Sequence, residues 1–461
     1  MAFDRSLEEE IQMSSVPFNR RRFLKTSAAV SAAAIAAPYV HTSHAAGSLT
    51  IGFWDHWVPG ANDTLTKLCQ EWGQKNKVDV KIDYITSQGN KNMLTITAEA
   101  QARSGHDILA HPAWYALTYA KQLEPLDDVM NPLIKKYGKV APAAEFLCKS
   151  GGKWIAAPAV TGTQVKPPCV RLDLFKQHAG IDIQSMYPVN KAPTAESEKW
   201  NWETLVVAAE KLKKAGSPIG LGMGQTTDSI DTVGAMFASF GADLVDAKGN
   251  ITVKSDAVKQ VLDYAKRLVA AMPADVFAWD DASNNKYLIS GQGSMIMNPP
   301  SAYAVAKRDN PKVAAQCYTI EMPKGPKGRY APFLPFLWAL WGFSKNKSAG
   351  KSLLTHLQQR ENVEKLVNAS IGYDIPSFES MRDFKIWEQV EPPQGAVYHY
   401  PPRGGRQNVW MACAPAPAGI AQQMYTQSIM TKMIAKYTQG GEPMDKVIGW
   451  AASELEGYQR S

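Results

Sequence analysis

The chain has 461 residues, 45% hydrophobic, 20% charged and 10% aromatic. This globular mix excludes disordered and fibrous classes, and the length allows two domains with separate cores. Lys+Arg 50 against Asp+Glu 43 gives a formal charge of +7, spread thinly with no basic block beyond Arg20-Arg21-Arg22, so no nucleic-acid partner is expected. No run of about 18 apolar residues occurs, so no bilayer-spanning segment is expected.

The first segment carries an address. Arg20-Arg21-Arg22-Phe23-Leu24-Lys25 precedes an Ala-rich apolar run from Ala28 to Ala37, and Ser43-His44-Ala45 places small residues at the −3 and −1 positions of a cleavage site. The Arg-Arg-x-Phe-Leu-Lys run resembles a twin-arginine export signal, with Asn19 where that motif usually has Ser or Thr. Residues 1–45 are therefore expected to be a signal peptide, with cleavage after Ala45, or after Ala46 as the next choice, and Met13 as an alternative start. The competing reading is a basic N-terminal helix of a cytosolic protein. The order of motif, apolar run and cleavage site favours export to the periplasm. Five cysteines, Cys69, Cys148, Cys169, Cys317 and Cys413, are odd in number and widely spaced, so they are expected as buried apolar residues rather than a disulfide framework or zinc ribbon.

Leu49 to Trp54 predicts a short apolar strand. Leu65, Leu68, Cys69 and Trp72 at i, i+3, i+4, i+7 predict one buried face of a helix that Asn62 or Asp63 could cap. Val78 to Tyr84 alternates as a second strand, Asn92 to Arg103 is Ala-rich and helical, Asp107 to Ala110 is a third strand, and Trp114 to Leu123 a further helix. This β-α-β-α-β order predicts a parallel or mixed sheet with covering helices. The alternation resumes with a helix from Trp202 to Ala215, a strand at Ile219 to Met223, a turn at Asp246 to Asn250, a strand at Ile251 to Val253, a helix to Ala271 capped by Ser255, and a strand at Ser294 to Met297. Pro-rich breaks lie at Pro167-Pro168, Pro332 to Pro335, Pro392-Pro393, Pro401-Pro402 and Pro415 to Pro417.

Catalytic signatures are missing. There is no Walker A loop, and Gly220-x-Gly222-x-Gly224 lacks dinucleotide spacing. No Gly-x-Ser-x-Gly elbow and no His-Glu-x-x-His helix occur. His106 and His111 flank a strand on opposite faces, which argues against a shared metal. Asp127-Asp128 and Asp280-Asp281 are adjacent pairs whose side chains should diverge. No enzymatic activity, cofactor or metal is expected. All 13 Trp lie beyond residue 45, several beside loop signals at strand ends, where open α/β sheets place ligands. A Trp face matches the C–H face of a sugar ring while polar neighbours bond its hydroxyls. Trp57, Trp114 and Trp279 are candidates for such platforms. Trp72, Trp154, Trp387 and Trp450 are assigned to packing.

An ordered set of motifs carries a resemblance. Ala102-Arg103-Ser104-Gly105-His106-Asp107-Ile108, Leu123-Glu124-Pro125-Leu126-Asp127-Asp128, Gly152-Lys153-Trp154-Ile155-Ala156-Ala157-Pro158, Trp200-Asn201-Trp202-Glu203-Thr204-Leu205 and Gly291-Gln292-Gly293-Ser294-Met295-Ile296-Met297-Asn298 are similar, in this order, to segments of the extracellular solute-binding proteins of ABC transporters, family 1, which includes maltose-binding proteins. The resemblance covers nearly all of 48–461. It implies an α/β, two-lobed periplasmic-binding-protein fold (type II) with a ligand cleft between lobes: 46–158 plus 340–376 as the N-terminal lobe, 159–339 plus 377–461 as the C-terminal lobe. It further implies a monomer that hands a small solute to permease subunits.

The ligand candidates implied are Asp55, His56 and Trp57 after the first strand, and His111 and Trp114 after the third. Thr161 and Gly162 follow the first lobe crossing, where the acidic ligand of maltose-binding relatives is missing. Asn298 and Tyr303 follow the Gly-x-Ala-Ala-Met-like strand, with Ser301 where a Trp is frequent. Trp341 and Tyr373 fit cleft-facing loops, and Trp279 and Asp280 join them from the second lobe. A carbohydrate or polyol is the expected solute. The alternatives are a charged solute such as a polyamine, which needs an acidic cleft, and an exported glycoside hydrolase.

Overall fold

The computed structural model describes residues 47–188, 191–389 and 406–460. The export signal through Ala45, the neighbouring choice Ala46, and the breaks at Pro392-Pro393 and Pro401-Pro402 lie outside the described residues. Taken along the chain, the elements that position the site are β1 (Ser48–Trp54), α1 (Pro59–Asn76), β2 (Asp79–Ile85), α2 (Lys91–Ala102), β3 (Ile108–Pro112), β4 (Ala157–Pro158), β5 (Gln164–Val165), β6 (Cys169–Arg171), α3 (Trp202–Lys214), α4 (Thr227–Phe240), α5 (Asp256–Ala270), β7 (Met295–Ile296), α6 (Pro299–Asp309), β8 (Cys317–Thr319), β9 (Tyr330–Leu334), β10 (Phe336–Leu340) and β11 (Asn408–Trp410). Three helices, Ala418–Thr426, Ile429–Thr438 and Met444–Arg460, close the chain.

The largest sheet has five strands in the order β2-β1-β3-β10-β4. β1 is parallel to both β2 and β3, and β10 is antiparallel to β3 and β4, so the sheet is mixed. Its central strands are buried on both faces, which is why Leu-Thr-Ile-Gly-Phe-Trp and Phe-Leu-Trp-Ala-Leu read as continuous apolar runs. The edge strand β2 alternates instead. α1 buries Leu65, Leu68, Cys69 and Trp72 on the face its spacing predicted. It starts earlier than expected: Pro59 opens the first turn, Val58 is the N-cap, and neither Asn62 nor Asp63 serves, because proline's fixed φ suits a first helical position.

Two smaller three-stranded sheets, β8-β6-β7 and β11-β9-β5, make up the rest of the cleft-bearing frame. The strand expected at Ile219 to Met223 joins no ladder. Its backbone still donates from Gly220 to the Met295 carbonyl and from Met223 to the Val276 carbonyl. A Cβ on Gly220 would stand 2.5 Å from the Trp279 ring, so the segment is shaped by side chains packed onto it. Ile251 forms only an isolated bridge with Val245, across the Asp246 turn. Ser255 caps α5 as expected, its side chain accepting from Val258 N.

The chain passes between the large sheet and the small β5–β9 pair twice, at 159–163 and at Pro335. β4 and β10 belong to the first sheet, and β5 and β9 to the second. The passages are pinned side by side. Ala159 N donates to the Phe336 carbonyl, Phe336 N donates to Thr163 Oγ1 at 3.1 Å, and Thr163 Oγ1 donates to the Ala159 carbonyl at 2.6 Å. A third strand of chain joins them where Ile375 N donates to the Thr163 carbonyl. No helix among the described residues is long and apolar enough to cross a membrane.

Candidate functional site

Beside these passages lies a narrow cleft lined by Trp54, Trp57, Ser87, Asn92, Pro112, Gln164, Thr227, Asp228, Asp281, Asn298, Leu334 and Phe336. One wall grows from the carboxyl ends of β1, β2 and β3. Trp54 closes β1 and stacks on Phe336, ring centroids 5.1 Å apart. Gly162 makes that stack possible: its φ is +91°, and a Cβ there would fall 2.6 Å from the Phe336 ring and 2.9 Å from that of Trp54. Trp57, half-buried, continues the aromatic surface into the loop ahead of α1.

The opposite wall is built on the N-terminus of α4. Thr226 caps this helix through Ser229 N, and Asp228 and Asp231, three residues apart, share a face. Lys166, which follows β5 and is fully buried, reaches both: its Nζ lies 2.9 Å from Asp228 Oδ1 and 2.8 Å from Asp231 Oδ2. Burial alone would discharge this ammonium. The two carboxylates outweigh that and hold it charged well above its ordinary range. The other oxygen of Asp228 accepts from Asn284 Nδ2 and Asn298 Nδ2, each at 3.1 Å. Asp281 accepts from Thr227 Oγ1 at 3.2 Å and from the Asp228 backbone N–H at 3.4 Å. Burial, then the charge of Asp228, pushes the Asp281 carboxyl up to about 7, and burial pushes Asp231 up to about 6 against the pull of Lys166.

Three polar atoms of the lining, Trp54 Nε1, Gln164 Oε1 and Asn298 Oδ1, have no hydrogen-bond partner among the described residues, although their residues are 4%, 2% and 2% exposed. Buried polar groups are normally satisfied, so these atoms mark where a solute would bond. Two are acceptors and one is a donor.

The expected candidates separate. Trp57 and Asn298 come together in the cleft. Gly162 stands behind it, with the buried Thr161 beside it in the passage. Asp55 is exposed and accepts from Asn62 Nδ2. His56 is buried, its Nδ1 accepting from Val58 N and its Nε2 donating to Asp374. Asp374 also accepts from Gly162 N, so His56 serves to tie the first loop to the passages. His111, Trp114 and Trp341, expected at the cleft, are core residues instead. His111 is fully buried with its Nδ1 on the Leu109 carbonyl and its pKa driven down to about 4 by burial. Trp114 Nε1 donates to the Ala412 carbonyl, and Trp341 Nε1 to Glu99.

Trp279 packs on Tyr287 and Gly220 away from the lining. Asp280 is spent on its own turn, accepting from Ala282 N and Ser283 Oγ, so its neighbour Asp281 takes the cleft position. Tyr303 and Tyr373 line a separate groove with Ile371 and Lys307. Sequence reasoning missed Trp54, Asn92, Gln164, Phe336, Asp228 and Asp281. The usable signal for Asp228 was Thr226-Thr227-Asp228-Ser229, a helix cap directly after a glycine-rich extended run.

The sequence profile of the bacterial extracellular solute-binding proteins matches residues 67–392. The chain belongs to this family. No curated protein matches. Among solved structures, T. maritima MalE3 with maltose bound has a TM-score of 0.70 at 17% identity, covering 89% of this chain and 99% of that one. A sugar transporter protein from Arthrobacter chlorophenolicus A6 with bound laminaribiose has a TM-score of 0.69 at 15% identity, over 89% and 99%. An ABC transporter solute-binding protein from Agrobacterium vitis S4 with bound D-mannitol has 0.65 at 19%, over 90% and 99%. At these identities the likeness establishes the fold, the two-lobed arrangement of sugar-binding periplasmic proteins.

Proposed function

We propose that this solute-binding protein is exported to the periplasm, captures a carbohydrate or polyol in the Trp54–Asp281 cleft by closing two lobes over it, and presents it as a monomer to the permease of an ABC importer. The supporting observation is the pairing of surfaces. Aromatic Trp57, with the Trp54–Phe336 stack beside it, shares one cleft lining with the hydrogen-bonding groups of Asp228, Asp281, Gln164 and Asn298. A sugar ring has one apolar C–H face and a rim of hydroxyls, and this lining matches both.

The lobes are taken as 46–158 plus 340–376 and 159–339 plus 377–461, hinged at the passages around Thr163. Contacts from both walls to one solute give the closed form its extra affinity, which is what shifts the equilibrium toward it. The role is capture rather than turnover.

A thermal-shift screen of residues 46–461 against sugars, polyols and polyamines tests this, since a ligand of the folded state raises apparent stability. A sugar or polyol should raise Tm with the logarithm of its concentration over Kd once that ratio exceeds one. A response confined to linear polyamines would favour the charged-solute alternative. Steady product release from a glycoside panel, lost in Asp281→Asn, would replace binding with hydrolysis.

A further inference from the structure

Among the described residues, Lys166 is the one cation paired with the buried acids of the cleft wall. Its Nζ contacts Asp228 and Asp231, and Asp281 accepts from the Thr227 and Thr226 hydroxyls and a backbone N–H. The wall thus sets three carboxyl groups against one ammonium. Among the described residues, Lys, Arg and His are absent from the cleft lining itself, which carries Asp228 and Asp281. Gln164 Oε1 and Asn298 Oδ1, without a hydrogen-bond partner among the described residues, are both acceptors, and Trp54, Trp57 and Phe336 share the same lining. Acceptors and excess carboxyl groups favour a cation that donates several N–H bonds at once, and the aromatic side chains favour a sugar ring attached to it.

We propose that the solute is a polyhydroxyl compound bearing a protonated amine, an amino sugar or amino polyol, whose ammonium sits against Asp228 and Asp281 while its ring lies on the Trp54–Trp57 surface. This rests on the carbohydrate reading above and narrows it. The raised pKa of Asp281 agrees with it. Without a cation, burial and Asp228 keep a proton on that carboxyl near neutral pH. The charged groups around it are Asp228 and Asp231 on α4 and Lys166 after β5, with Thr226 and Thr227 as neutral partners. An arriving ammonium favours the carboxylate, so one proton leaves Asp281 for the buffer as the ion pair forms. Affinity for the amine should therefore rise as pH goes from about 5.5 to about 7, approaching ten-fold per unit at the acid end for a single coupled proton.

Calorimetry on residues 46–461 with matched pairs decides the matter: glucosamine with glucose, galactosamine with galactose, mannosamine with mannose, at pH 7 and pH 5.5. The expected result is that the amine member of a binding pair binds at least about ten-fold tighter at pH 7. Proton release should be visible as a heat that depends on the buffer, and the ratio within the pair should narrow toward one in Asp281→Asn. The ratio and the proton count in the unaltered protein stand by themselves should that variant fail to fold. A neutral member binding as tightly as its amine overturns the inference and leaves the carbohydrate reading standing. Failure of every sugar, amine or neutral, in a screen where another class of solute binds overturns both.

Discussion

Trp54 and Phe336 owe their places to packing, a stacked pair wedged over a glycine, whereas Asp228, Asp231 and Asp281 owe theirs to hydrogen bonds and one buried ammonium. The aromatic wall is part of a core that would exist without a ligand. The acidic wall is costly to desolvate and is held by Lys166, the amides of Asn284 and Asn298 and the Thr227 hydroxyl. A stable wall gives shape, and a strained wall gives selectivity. Damage to each should therefore appear in a different measurement.

The largest effect is expected at Lys166. Lys166→Met leaves two buried carboxyl groups without their partner, a loss of about 3–5 kcal/mol for broken buried pairs, read as a fall in the urea midpoint. Next is Trp57→Ala. Trp57 is half-buried and lines the cleft, so its loss should cost about 2–4 kcal/mol of binding, roughly 30- to 1,000-fold, with little change in melting temperature. Trp72→Ala on α1 should do the reverse, since Trp72 is buried away from the cleft lining.

A smaller, pH-dependent effect is expected from Asp281→Asn. The folded carboxyl is held at about 7, above its ordinary value of 3.8, so the folded state binds the proton more tightly than the unfolded one. The stabilising contribution is full below the unfolded value and is lost as pH rises through about 7. Asp281→Asn should thus be more stable than the parent at pH 8, by on the order of 2 kcal/mol, and the gain should shrink toward pH 4 in paired urea melts. The smallest effect is assigned to Asp55→Ala, since Asp55 is exposed and its side chain accepts from Asn62: affinity and stability should stay within about 0.5 kcal/mol of the parent.

The first sheet was legible because its signals are local. Apolar runs marked β1 and β3, alternation marked β2, and the i, i+3, i+4, i+7 spacing marked the buried face of α1. The ordered motifs supplied the two-lobed fold. The cleft was less legible, because it is assembled from distant pieces by the passages at Thr163 and Pro335. Trp54 looked like the last residue of a strand, and nothing local showed that Phe336 would stack on it. Trp114 and Trp341 sit at the predicted strand ends yet turn into the core, since each ring N–H finds a buried acceptor there. Asp280 and Asp281 were indistinguishable in sequence. The turn uses the first carboxyl for its own backbone and leaves the second for the cleft.

The central claim is that both walls grip one solute. A double-mutant cycle in calorimetry tests it most directly, using Trp57→Ala, Asp281→Asn and the double variant with whichever sugar or amino sugar raises Tm. The account predicts that each single change weakens binding at least about ten-fold while the variant stays folded, and that the losses are not additive because the walls meet on the same molecule. Parent-like affinity in either folded single variant would contradict it.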